Sequence, residues 1–518
     1  MPTHIGTFLF DPASIKTNQT VSFITTLDED PDFDNNSVAW GLSHSLYCAG
    51  HTLTDEGKAV FVGGFRTERW QMGTLYSGLD YAVLFDPIKA TFSRSSYRSP
   101  IGRIWYGTAV NLGDDHILVW GGFSSCCSPS VYNNGLALYE PRKEISMEDP
   151  WTVVVPHNES RSDLAQAKWD YTRIFRLKRP VFANNVSYHV AMIGEPGRVV
   201  LLNVEDLHNT FLSSARFYAP PNGQRPGGCS FKSTSLMGPS GELVIVGGCD
   251  GQTAMASRID IYNITDDSWR SVETGIVRHH AASIMLPDAT MLIINGVNPN
   301  IDHSSNPLNI VRGDPRTSQL YNFETGEITN LTAEPGGPFR GYHSTGLLLK
   351  DGRVLISGGI ITGPGCEWPD VHFFLPPYLS SGSSRPSFVA VSEPALLTGT
   401  LPLEIRYSGS LKSDSGVVLM ASGSFTHGFD SNQRYIALDI VQHEPGISVT
   451  VRVPTHEYVR PGQYTMFLVS SQGTPSFGLH TYVKAYATFP HASAACNWKR
   501  EGVFTAGFVL VLSTLIGY

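Results

Sequence analysis

Cys48, Tyr106, His280 and His343 share one spacing. Each stands 15 residues before the first member of a Gly-Gly pair or its Asn-Gly counterpart, at Gly63, Gly121, Asn295 and Gly358. A thiol, a phenol and two imidazoles are the groups that transition-metal and redox chemistry draws on. Tyr342 directly precedes His343 and adds a second phenol. Neighbours on a regular strand face opposite ways. Tyr342 and His343 therefore serve one metal only if the backbone is irregular there, and Gly341 is the residue that would allow it. Taken singly, a Tyr or His at a strand start is core or turn filler, and a lone Cys is an inert buried thiol. The shared register is what sets these residues apart.

The spacing has meaning because the chain repeats. An apolar strand, a turn with Asp or Gly, a second apolar strand and a Gly pair recur as HTLTDEGKAVFVGG, TAVNLGDDHILVWGG, STSLMGPSGELVIVGG and STGLLLKDGRVLISGG. Looser copies are YHVAMIGEPGRVVLLN and ASIMLPDATMLIING. Further strands follow several copies: YAVLFDP, LALYEP, RIDIYN and SQLYNF. Six such units, with SVAWGL completing a seventh, predict a seven-bladed Kelch-type β-propeller over residues 1–380. Equivalent repeat positions share one rim, so the four aligned residues are candidates for one site. After the Ser/Gly/Pro cluster at 373–387, short alternating strands (PLEIRYSG, GVVLMAS, SVTVRVP, QYTMFLVSS) predict an immunoglobulin-like β-sandwich over 385–489.

Composition agrees with an all-β chain: charged residues are 16% of the 518, and there are 50 glycines. A net charge of −9 with no basic face argues against nucleic acid. Sequons at Asn18, Asn35, Asn158, Asn185, Asn263 and Asn330 favour a secreted glycoprotein. Met1–Pro12 shows no signal peptide. In the tail, 490–518, Ser493-Ala494-Ala495, a polar spacer and an apolar run from Val503 to Tyr518 have the order of a GPI-anchor signal. The expected location is secreted or cell-surface, with membrane attachment only through that anchor. Of seven cysteines, Cys229 and Cys249 bracket one hairpin and are placed either to pair or to stay free. Cys126-Cys127 has no assigned role.

Four segments carry a specific resemblance: LYCAGHTLTDEGKAVFVGG, RIWYGTAVNLGDDHILVWGG, RGYHSTGLLLKDGRVLISGG and SGSFTHGFDSNQR. The chain, from about Phe10 to about Phe489, resembles the galactose oxidase and glyoxal oxidase family of copper-radical enzymes. That resemblance implies a thioether between Cys48 and Tyr106 as a self-processed radical cofactor. It implies copper held by Tyr106, Tyr342, His343 and His427, with Tyr342 as the axial ligand that accepts the substrate proton. His427 comes from the resemblance alone; no spacing points to it. The implied activity is oxidation of a small aldehyde, or of a primary alcohol, by O2 with release of H2O2.

Where the galactose oxidase branch covers the crosslinked Tyr with a Trp, GGFSSCCSP offers Phe123 or Ser124. CAG after Tyr47, RIWYG and YNN at Tyr132 look closer to the glyoxal oxidase branch. Phe123 and His280 are the candidates for supporting positions around the metal. Two rivals are a non-catalytic Kelch scaffold for a protein partner and a propeller glycosidase. The first has no reason to keep the five-residue set, and the second needs paired carboxylates that the rim position lacks.

Overall fold

The computed structural model describes residues 7–9, 23–24, 46–70, 73–126, 131–157, 171–194, 196–204, 217–249, 256–299, 313–332, 339–359, 371–392, 402–454, 459–483 and 509–510. Within them the fold is all-β apart from two short helices, Pro141–Ile145 and Pro377–Ser380. None of these helices is long and apolar enough to cross a membrane.

All six repeat hairpins form with antiparallel register. Gly50–Leu53 pairs with Ala59–Val62, Thr108–Asn111 with Ile117–Cys126, and Val186–Ile193 with Val199–Leu202. Thr234–Met237 pairs with Leu243–Val246, His279–Met285 with Thr290–Val297, and Thr345–Leu348 with Val354–Ser357. Their paired strands are buried along nearly their whole length (Ala59–Val62, Thr108–Asn111, Val199–Leu202 and Leu243–Val246 among them), because both faces meet neighbouring sheets. That explains the continuous apolar runs in the sequence.

The expected seven-bladed Kelch-type propeller is not formed. Residues 50–374, with the hairpin at 425–430 added to the fourth, fold into six separate open sheets of unequal size, with four, six, four, six, four and three strands. Among the described residues no seventh sheet closes on the first, and SVAWGL lies outside them. The repeat specifies a hairpin and its turn; it does not specify how many sheets there are or whether their edges close. Two additions break the uniformity. Phe65–Trp70 and Gly73–Gly78 join the edge of the second sheet through Ser125 and Cys126. The hairpin Phe425–Thr426 and Phe429–Asp430 pairs onto the fourth sheet in parallel, Ser235 opposite Phe429.

All four strands expected in the C-terminal region are present, at Leu403–Ser408, Val417–Ala421, Ser448–Arg452 and Gly462–Leu468. They belong to two open four-stranded antiparallel sheets sharing an apolar core that includes Ile405, Leu419, Val449 and Met466. The segment read as a linker is partly structured. Tyr378 is buried within its short helix and donates its hydroxyl to the Gly352 carbonyl at 2.7 Å.

Candidate metal centre

The inner strands of the six sheets begin in a common way. Cys48, Tyr106, Tyr171, Lys232, His280 and His343 stand at their starts with φ of 56°, 55°, 43°, 57°, 56° and 67°. Left-handed backbone is uncommon for residues with a Cβ and costs about 1–3 kcal/mol each. Successive starts are tied together. Tyr106 N–H donates to the Cys48 carbonyl at 3.0 Å, Tyr171 N–H to Tyr106 at 2.7 Å, and His280 N–H to Lys232 at 2.8 Å. The Gly pair explains the shared spacing, because it packs against these starts. A Cβ on Gly122 would lie 2.5 Å from the Trp105 and Tyr106 carbonyl oxygens, and one on Gly358 would lie 2.6 Å from that of His343.

The irregularity that lets Tyr342 and His343 converge sits on His343 itself, not on Gly341, which does not have positive φ. Ser344 N–H closes the turn onto the Gly341 carbonyl at 3.1 Å. The two adjacent rings then lie side by side, centroids 3.8 Å apart.

His427 arrives from the C-terminal region at the tip of the hairpin paired onto the fourth sheet. His427 and Gly428 take φ of 50° and 78° to make its turn. The loop is pinned from several sides. Gly428 accepts from Ser235 N–H at 3.0 Å, and His51 Nδ1 and Ser424 Oγ meet at 2.6 Å. Met285 N–H donates to Gln433 Oε1 at 2.9 Å. Phe429 is fully buried edge-on against Phe175. Buried Asp430 accepts three backbone N–H groups through Oδ1, from Ser424, Asn432 and Gln433.

These elements bring together every residue singled out for the centre. The Tyr342 hydroxyl donates to Tyr106 Oη at 3.1 Å. His343 and His427 rings meet edge to face at 4.7 Å, and His427 stands 5.1 Å from Tyr342 and 5.7 Å from Tyr106. Cys48 Sγ is 3.7 Å from His427 Nε2, and ligand atoms of Cys48, His343 and His427 all lie within 4.8 Å of one another. Phe123 meets the Tyr106 ring edge-on at 6.0 Å, and His280 meets Tyr342 edge-on at 5.1 Å.

Burial sets the charge states. The Cys48 thiol is pushed up to about 12 by loss of solvent, against the lowering effect of hydrogen bonds from Tyr106, Tyr171, Tyr47 and Trp105. Burial drops His343 to about 3 and holds His427 well below the usual histidine range. It also drops His280 to about 3, with Lys232 adding to the effect. Burial raises Tyr342 well above the ordinary phenol value. The imidazoles are thus neutral, with a lone pair each, which is the form that ligates metal. Thr426 Oγ1 lies 2.6 Å from His427 Nδ1, leaving Nε2 toward the centre, while His343 Nδ1 is buried with no hydrogen-bond partner. Two imidazoles and two phenols gathered at one buried point fit a metal of nitrogen and oxygen preference such as copper.

The sequence reading missed two residues of this cluster. Tyr171 stacks on His427 at 4.1 Å and meets Tyr106 edge-on at 5.4 Å. It was hidden because YHVAMIGEPGRVVLLN is the second and third strands of its sheet; the first is Arg173–Ala183. The readable signal was a Tyr two residues ahead of a strand in WDYTR, as in IWYGT. Tyr47 is the other, described below. Cys229 and Cys249 are paired, with Cα atoms 6.0 Å apart, and Cys48 is a free buried thiol.

A family profile, "Galactose oxidase-like, Early set domain", matches residues 385–483. Galactose oxidase of Gibberella zeae is 29% identical over 201 residues, 38% of this chain and 28% of that protein. The chain thus spans less than a third of that relative's length. Aldehyde oxidase GLOX1 of Arabidopsis thaliana is 25% identical over 84% of this chain and 71% of its own. A fungal alcohol oxidase of the AA5 family, solved in complex with copper, shares the fold: TM-score 0.65 and 20% identity over 86% of each chain. Residues 385–483 thus match a galactose oxidase-like early set domain, and the fold is shared with a copper-bound alcohol oxidase. Aldehyde-oxidising and galactose-oxidising relatives both match, so the branch is not distinguished.

Proposed function

We propose that the chain is a copper-dependent oxidase that passes two electrons from a small aldehyde of the glyoxal or methylglyoxal type to O2. Aldehyde, water and O2 become carboxylic acid and H2O2. The observation that carries this reading is the convergence of two phenols, two neutral imidazoles and a buried free thiol on one point. Tyr106, Tyr342, His343 and His427 would hold the copper. Copper bound there would supply a one-electron change and an open position for substrate.

The chain's own groups account for the rest. A thioether between Cys48 Sγ and the Tyr106 ring forms with loss of two hydrogens, taken by O2 as H2O2. Sulfur on the ring makes Tyr106 easier to oxidise, so it can give up the second electron and accept the substrate's hydrogen atom. Tyr342 Oη, 3.1 Å from Tyr106 Oη, would take the substrate proton once copper binding had displaced its own to solvent. Phe123 shields one edge of Tyr106, and His280 braces Tyr342.

Primary alcohols are the second reading, favoured by the galactose and alcohol oxidases among the relatives. A secreted or cell-surface location fits the Cys229–Cys249 disulfide and the exposed sequons Asn185, Asn263 and Asn330. Of the GPI-type tail, Val509–Leu510 is described, as a short strand paired with Thr7–Leu9; its other residues lie outside the described ones.

The test is peptide mass spectrometry of copper-loaded protein with an H2O2-release screen over aldehydes and primary alcohols. Joined Cys48 and Tyr106 peptides, two hydrogens short, with turnover of one class support the reading. Folded, copper-loaded protein with both peptides free and no H2O2 refutes it.

A further inference from the structure

Tyr47 has a place in the cluster that neither the shared spacing nor the four-residue ligand set accounts for. It precedes Cys48, is 9% exposed, and its hydroxyl lies 3.2 Å from His343 Nε2. The ring is locked by edge contacts to His343 at 5.1 Å and Phe65 at 6.3 Å. The same hydroxyl is one of the groups that lower the Cys48 thiol against the effect of burial.

The distance has a further meaning. Nitrogen and oxygen ligands lie about 2.0–2.2 Å from ions of this class, so two adjacent ligands at a right angle are roughly 3 Å apart. Tyr106 Oη and Tyr342 Oη meet that measure at 3.1 Å, and Tyr47 Oη and His343 Nε2 meet it at 3.2 Å. We infer that Tyr47 is a third phenol donor, binding the same copper ion as His343 through an oxygen adjacent to His343 Nε2. This rests on the copper reading above and extends it from two phenols to three. A Phe would fill the same space against Phe65 and His343; the hydroxyl is what packing does not need.

The test compares Tyr47→Phe with the native protein, both loaded with Cu(II). Y47F is expected to lose one component of the phenolate-to-copper absorption, change the copper hyperfine splitting in EPR, and bind Cu(II) about ten-fold or more weakly. Superimposable absorption and EPR spectra with an unchanged Kd overturn the inference and leave the copper reading standing. A Tyr47 that only braced His343 by a hydrogen bond would weaken binding without removing an absorption component, which also overturns it. Failure of native protein to bind Cu(II) overturns both. Should Y47F not fold, a structure of the copper-loaded native protein decides. A Tyr47 Oη–Cu distance within about 2.6 Å upholds the inference, and a longer one overturns it.

Discussion

Thr426→Val isolates the hydrogen bond that aims His427. Thr426 Oγ1 is 2.6 Å from His427 Nδ1, and the imidazole's other nitrogen faces Cys48 and the remaining donors. Valine keeps the branched shape and removes only the oxygen. Loss of a partner on the far nitrogen of a ligating imidazole typically weakens metal binding 10–100-fold, which is about 1.4–2.7 kcal/mol. The metal-free fold loses one part-buried hydrogen bond, about 0.5–1.5 kcal/mol. His427 does not swing free, because stacking on Tyr171 persists. The assay is competitive titration of Cu(II) against a chelator, with urea unfolding of the metal-free protein alongside. The expected pattern is a Kd raised 10–100-fold with a small loss of stability, and recovery of both in Thr426→Ser. A Kd within threefold of native would refute the reasoning that His427 is a ligand aimed by Thr426.

Phe429→Ala should destabilise the chain by about 3–5 kcal/mol and abolish retention of Cu(II), because that ring seats the His427 turn; urea unfolding and metal analysis after dialysis check it. In the metal-free native protein Cys48, 3% exposed and with its thiol held up at about 12, should resist alkylation at pH 8 until the chain is unfolded, as peptide mapping would show. Asp115 is buried, raised to about 6 by loss of solvent and by facing Asp55, with Arg142 opposing. A carboxyl raised in the folded state favours folding at low pH, so its contribution fades as pH climbs from about 4 through about 6. Asp115→Asn should flatten that slope in unfolding titrations at pH 4.5 and 7.

The sequence made the hairpins readable because each is a local device, two buried strands and a turn with its Gly pair. It made Cys48, Tyr106, His280 and His343 readable because each stands at a fixed offset from a glycine that must clear its neighbouring backbone. The number and closure of the sheets were not readable. They depend on edge pairings such as Ser125 with Ser77 and Ser235 with Phe429, which leave no periodic trace. Tyr171 escaped because one sheet has its recognisable hairpin displaced by a strand. His427 was visible only by likeness to known oxidases, since its hairpin borrows a partner nearly two hundred residues away. Gly341 was credited with a bend that His343 makes itself.

The origin of His427 also bears on timing. A ribosome that has released the segment through His343 has produced the thiol, Tyr106, Tyr342 and one of the two imidazoles of the proposed copper set. The missing imidazole is carried by a hairpin that must first lie down beside Ser235. Until it does, the proposed copper set lacks one of its donors. The element that completes the cluster is made after the elements that receive it.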